Sequence, residues 1–284
     1  MKSLRLLGPL LAVALLQFGC STVPETGRSQ VVWISPAQEA QMGLAAFTQI
    51  KAEEKISQDP MANDRVSEVG RRIARSVGRD LPNAKWEFVV FESDELNAFA
   101  LPGGKVGVYT GILKIAETDD ELAAVMGHEI AHVTSRHSGE RVTHQMIASG
   151  VALGSELVME AQDVDPQKRA ITRTVLGVGT TVGAILPFSR LHESEADSIG
   201  LRFAAGAGYD PRAAILFWER MQKANEGREK PPEFLSTHPS DETRIANLKQ
   251  LAPQYLPLYR ETKAKWDSGA MDQAPEAEKA IGAP

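Results

Sequence analysis

The stretch HEIAH, residues 128–132, lies at the end of the longer run TDDELAAVMGHEIAH (118–132), and its reading decides the fold. Thr118 followed three residues on by Glu121 is the reciprocal pattern of a helix N-terminus, each side chain able to satisfy the other residue's backbone N–H. The predicted helix therefore opens at Thr118 and carries HEIAH inside it. On that helix His128 and His132 are four apart and leave from one face, their Cβ atoms about 6 Å from each other, within reach of one metal ion. Glu129 points beside such an ion rather than at it, where its carboxylate can take a proton from an attacking water. Two histidines packed into a core helix would show the same spacing, so the chemistry needs further residues.

A hydrolytic zinc site needs a third protein ligand and a position left for water. The third histidine of a metzincin would fall at position 138, which is Ser138, and that class is excluded. His137 stands five residues beyond His132, a poor angle for the same face; it is expected to cap the helix or meet solvent, and His144 is set aside with it. The cluster HESEAD (192–197) offers more. Glu193 and Asp197 are four apart on a later helix and share a face, so one carboxylate can bind zinc while the other holds the second nitrogen of a ligand histidine. This is the gluzincin arrangement. Glu195 points elsewhere and reads as part of an exposed acidic face.

Outward from these motifs the sequence predicts an α+β domain, mostly helical, with a small three-stranded sheet. Ser35-Pro36 opens a helix running to about 55, with Gln38 completing its capping pattern, and Val66, Val69, Ile73 and Val77 recur at helical spacing over 61–78, ending at Gly78. Residues 85–91, 95–101 and 105–109 are short and rich in aromatic and β-branched residues. The last two flank Pro102-Gly103-Gly104 and read as a hairpin. From 139 to 187 uncharged stretches alternate with the polar break AQDVDPQKR, and buried helices or a helical flap are expected there rather than a membrane span. Helices follow at 189–205 and 211–225, then a Pro-bearing loop (NEGREKPPEF), THPSDETRI and a last helix.

The chain is 284 residues long, 43% hydrophobic and 24% charged, enough to bury a substantial core. Its formal charge of −6 argues against nucleic acid as a partner. MKSLR followed by LLGPLLAVALLQFGC is a basic start and an apolar stretch too short to span a bilayer, and it reads as an export signal. Cys20, the one cysteine, follows Gly19 where that signal ends and resembles a lipoprotein lipidation site, although Gln17 and Phe18 depart from the usual lipobox. The expected division is a signal peptide over 1–19, a lipid-anchored tether over 20–34, a peptidase domain over 35–267 and a disordered tail over 268–284.

HEIAHVTSRHSGER, SRLHESEADSIGLRFAAGAGYDP and THPSDETR, in this order and preceded by NAFALPGGKVGVYTG, resemble the HtpX, LoiP and BepA zinc metallopeptidases related to the CAAX prenyl protease, peptidase family M48. The resemblance covers about residues 35–250. It implies one zinc ion per chain held by His128, His132 and Glu193, with Glu129 as general base and acid. It also implies Asp197 behind the ligands and His238 and Arg244 in the catalytic cleft. Asn97, Ala98 and Phe99 would form an edge strand that takes an extended substrate through its backbone. His238 or Arg244 is expected to meet the developing oxyanion, and His238, if its loop places it on zinc, to latch the site. The chain is short for the tetratricopeptide repeats of the BepA branch, and the lipoprotein LoiP-like branch fits best. The expected function is a zinc endopeptidase of the bacterial envelope, anchored to the membrane by its lipid and facing the periplasm, that acts on unfolded or misassembled envelope proteins. The alternative is a lipid-anchored chaperone or assembly factor for outer-membrane proteins whose zinc site is closed and structural.

Overall fold

The computed structural model describes residues 20–162, 164–180, 186–227, 233–238 and 242–273. The expected signal peptide, residues 228–232 of the Pro-bearing loop, 239–241 of THPSDETR and the tail beyond 273 lie outside the described residues. In chain order the elements are β1 (Cys20–Thr22), β2 (Ser29–Val31), α1 (Pro36–Glu53), α2 (Pro60–Val77), β3 (Glu87–Phe91), β4 (Ala98–Leu101), β5 (Lys105–Tyr109), α3 (Thr110–Leu113), α4 (Asp119–Thr134), α5 (His137–Ala161), α6 (Pro166–Thr180), α7 (Leu186–Gly206), α8 (Ala213–Asn225), α9 (Glu233–Thr237) and α10 (Glu242–Asp267). Two compact units divide the chain: residues 1–35 with 136–193, and 36–135 with 194–284.

The second unit holds the sheet and the HEIAH helix. Asp59 caps α2, its side chain accepting from the Met61 N–H, and Pro60 follows at the first helical position, where a missing N–H costs nothing. Val66, Val69, Ile73 and Val77 are all buried, as their spacing predicts, and Gly78 (φ 52°) ends the helix with its N–H donating to the Ala74 carbonyl. The sheet order is β3-β5-β4, with β5 in the centre, parallel to β3 and antiparallel to β4. The hairpin turns through Gly103 (φ 89°) and Gly104 (φ 85°), conformations that a side chain would strain.

Alternation along β4 gives its two faces different work. Phe99 and Leu101 pack with Phe47, Phe91 and Tyr109, and Phe47 meets Phe91 edge-on at 6.4 Å. Such aromatic pairs add about 0.5–1.5 kcal/mol beyond the area they bury. Ala98 is buried on the opposite face of the strand, and α4 packs on β4. Helix α4 carries the expected capping box of Thr118 and Glu121, and every residue from Glu121 to Thr134 is buried. A helix enclosed on all sides leaves its polar side chains out of reach of water, so they need protein partners: Arg220 meets Glu121 and Asp197 meets His128.

Helix α7 crosses α4 at two glycines. A Cβ on Gly200 would come within 2.8 Å of the His128 nitrogen, and one on Gly127 within 2.8 Å of the Gly200 carbonyl oxygen. The helices thus meet backbone to backbone. Glu195, expected on an exposed acidic face, is buried, because the turns of α7 around it are packed on nearly every side; Ala196, Asp197, Ile199 and Gly200 are buried with it.

In the first unit β1 and β2 pair antiparallel, so the stretch read as a tether carries a short hairpin closed at Gly27 (φ 69°). The Trp33 N–H donates to Thr143 Oγ1, tying the following strand end to α5. The described residues of 139–187 fall mainly in α5, α6 and the start of α7, helical as expected. Burial is not what α5 shows, however: beyond Thr143 it is exposed or half-buried throughout, and Val151, Leu153 and Leu157 are each more than half exposed. Among the described residues no helix is long and apolar enough to cross a membrane. Of the tail expected to lack structure, Ala270–Gln273 forms a 3-10 turn.

Candidate metal centre

His128 and His132 leave one face of α4 as their spacing requires, with ring nitrogens Nε2 and Nε2 3.1 Å apart. The Nδ1 of His238, the residue after α9, comes to 3.3 Å from His128 Nε2. His128, His132, Glu193 and His238 each present one ligand atom, and the four atoms all lie within 4.8 Å of one another. Three imidazoles and a carboxylate converging in this way form a donor set suited to a borderline ion such as zinc. Glu193 sits on α7 one turn before Asp197, which explains how a short segment of sequence can feed both positions.

Asp197 lies directly behind the first histidine. Its Oδ1 is 3.0 Å from His128 Nδ1, so the ring donates there and directs Nε2 toward the cluster. Burial would raise the carboxyl pKa of Asp197, but the Arg244 charge and the hydrogen bond from His128 outweigh it and hold the group below the ordinary range, ionised. Arg244 grips the same carboxylate, and its guanidinium lies over the Trp218 ring at 3.7 Å. Arg244, expected in the cleft with His238, is buried against the His128 ring, its Nη2 3.2 Å from Nδ1 and 3.3 Å from Nε2, and its Nη1 donates to the His238 carbonyl at 3.5 Å.

Glu129 is buried beside the cluster, its Oε1 3.4 Å from His238 Nε2. The His238 ring rests against Phe234 at 4.8 Å, and the Phe234 N–H donates to the Leu96 carbonyl, which joins α9 to the residue before Asn97. Asn97 itself accepts from the Tyr109 N–H. Ala98 and Phe99 open β4, an outer strand of the sheet, and the Phe99 ring is committed to the aromatic cluster.

His137 departs from expectation. It is buried, not solvent-facing, and its ring stacks on His192 at 4.1 Å with the planes 10° apart. Trp218 and Phe234 were not foreseen as site residues. Both are apolar residues at helical spacing, indistinguishable in sequence from ordinary core, and only tertiary packing brings them to Arg244 and His238.

The profile of Peptidase family M48 matches residues 60–252. The chain is 33% identical over 244 residues to the beta-barrel assembly-enhancing protease of Escherichia coli (strain K12), an alignment that covers 84% of this chain and 48% of that protein. It is 34% identical over 233 residues to the mitochondrial metalloendopeptidase OMA1 of Schizosaccharomyces pombe, covering 82% and 66%, and 32% identical over 276 residues to OMA1 of Saccharomyces cerevisiae, covering 88% and 76%. The chain spans about half the length of the beta-barrel assembly-enhancing proteases it matches.

Proposed function

Because this chain belongs to the metallopeptidases of family M48, we propose that it is a zinc-dependent endopeptidase of the bacterial cell envelope, held to a membrane through Cys20 and cleaving unfolded or misassembled envelope proteins. One observation carries the reading: a carboxylate, Glu129, stands beside a cluster of three histidines and Glu193 without being one of its four ligand residues. A site built only to hold metal has no use for it. In this reading His128, His132 and Glu193 hold the ion, and Asp197 fixes the tautomer of His128. Bound zinc would polarise the scissile carbonyl and make the attacking water more acidic.

The chain's own residues do the rest. Glu129 takes the proton from the attacking water at its carboxylate and later passes it to the leaving nitrogen. The β4 edge, with Asn97 just before it and Ala98 and Phe99 at its start, lies three elements before α4 and can pair with an extended peptide through main-chain groups, which favours unfolded segments over any one sequence. His238 can donate to the oxyanion from the same side as Glu129. The names of the bacterial relatives support an envelope setting, and a lipid anchor at the outer membrane extends that proposal.

A second reading keeps its own support. His238 lies within ligand distance of the other three, so the site can also close with four protein ligands, as a lipid-anchored assembly factor with structural zinc would require. Glu129→Gln separates the two. The variant is expected to bind one zinc per chain and to degrade an unfolded outer-membrane protein about a hundredfold more slowly than wild type. Undiminished degradation would remove Glu129 from the mechanism, and absence of degradation by the wild type would favour the assembly factor.

A further inference from the structure

A buried carboxylate that the proposed chemistry does not use joins three segments of the first unit. Glu140, on the first turn of α5, is 2% exposed and accepts both arms of the Arg28 guanidinium, Nη1 to Oε1 at 3.1 Å and Nη2 to Oε2 at 2.9 Å. Its Oε2 also meets His192 Nε2 at 2.8 Å. The His192 ring, itself 2% exposed, is sandwiched from one side by His137. Arg28 immediately precedes β2, so the N-terminal hairpin, the start of α5 and the end of the first unit on α7 converge on this one carboxylate.

The residue that follows His192 is Glu193. On a helix successive side chains leave the axis about 100° apart, so contacts that hold the backbone at His192 also set the direction in which Glu193 leaves α7. A ligand carboxylate must be held within roughly 0.5 Å and 10–20° to bind well, and Glu has three side-chain torsions to restrain. Glu140, itself held by the Arg28 fork, and the stacked ring of His137 restrain the His192 ring, and so the turn of α7 that carries it. We propose that Arg28, Glu140 and His192 are positioning residues for Glu193, so that the hairpin following Cys20 is a working part of the metal centre. The proposal rests on Glu193 being a zinc ligand. A simple fold-stabilising ion pair would have no reason to act on metal geometry.

The test uses the full chain with zinc and, separately, with cobalt in its place, whose visible absorption reports ligand geometry. Arg28→Ala is expected to bind zinc about ten- to hundredfold more weakly in chelator competition, the range seen when an outer partner of a ligand is lost, and to shift the cobalt spectrum. Arg28→Lys, which keeps the charge but loses the fork, should fall between it and wild type. His192→Phe keeps a flat ring against His137 and removes the hydrogen bond to Glu140, and should weaken zinc likewise; it decides the matter if Arg28→Ala does not fold. Wild-type affinity and an unshifted spectrum in folded Arg28→Ala and His192→Phe would overturn the proposal. A Glu193→Ala protein with undiminished zinc binding would instead overturn the ligand reading beneath it.

Discussion

Arg244 holds Asp197 by two nitrogens, Nη2 to Oδ1 at 2.6 Å and Nε to Oδ2 at 2.9 Å, with each side chain only 6% exposed. Planar fork and carboxylate match atom for atom, and the Trp218 ring covers the guanidinium. This makes Arg244 the support of a support: it fixes Asp197, which fixes His128. Removing it strands a buried charge. Arg244→Ala should cost roughly 3–5 kcal/mol of stability, read by urea denaturation of the metal-free protein. Unchanged stability with lost proteolysis would return Arg244 to the oxyanion role expected from sequence.

Glu193 and Asp197 share a face of α7 but differ in what they touch. Glu193→Ala removes one of the four clustered ligand residues and should abolish stoichiometric zinc. Asp197→Ala removes only the partner of His128 Nδ1 and should weaken zinc by about ten- to hundredfold. Equal losses, measured by metal content after dialysis against a graded chelator, would contradict this order.

The same logic of local contacts explains what could be read from sequence and what could not. The capping box at Thr118, the one-face spacing of His128 and His132, and the valines of α2 are local, because helix geometry alone turns their spacing into position. The hairpin about Gly103 and Gly104 was equally legible from its turn chemistry. His137 against His192 and Arg244 over Trp218 are contacts between residues 55 and 26 positions apart, and no periodicity marks them. Glu195 misled for a related reason. An acidic residue between two acidic neighbours looks solvated, yet Glu195 lies on the packed side of its helix, while Ser194 beside it is exposed.

Glu140 makes acid stability testable. Burial raises its pKa, but the hydrogen bonds from His192 and Arg28, with their charges, outweigh this and bring it from 4.5 to about 2. A pKa lowered on folding contributes stability that is fully present above the unfolded value and is lost as pH falls through the folded one. The stability advantage of wild type over Glu140→Gln should therefore be largest above about pH 5 and shrink toward pH 2. Denaturation curves of the two metal-free proteins, stepped through that window, check it; a gap that does not change with pH would mean the carboxylate is not ionised through these contacts.

His238 belongs both to the ligand cluster and, at 3.4 Å, to the neighbourhood of Glu129. His238→Ala should speed zinc exchange, because an imidazole that can close the site is gone, and lower proteolysis by roughly a hundredfold, because an oxyanion donor is gone. Stopped-flow chelation and peptide turnover measure the two separately. Faster turnover in the variant would make the ring purely inhibitory.

The contact between Gly127 and Gly200 has a consequence for how the molecule can drift in sequence. Where side chains separate two helices, every change in the layer between them shifts the spacing by some fraction of an ångström. Here the main chains themselves touch, with His128 at the point of contact and Asp197 one turn away. Such a seat acts as a mechanical stop: the helices cannot approach further, and bulk added elsewhere in the core tilts them about a fixed pivot. The distance between the HEIAH segment and its acidic partner is then set by backbone atoms common to every amino acid. The surrounding apolar residues are free to be exchanged over many generations while the centre keeps its dimensions, and the tolerance ends at the two glycines.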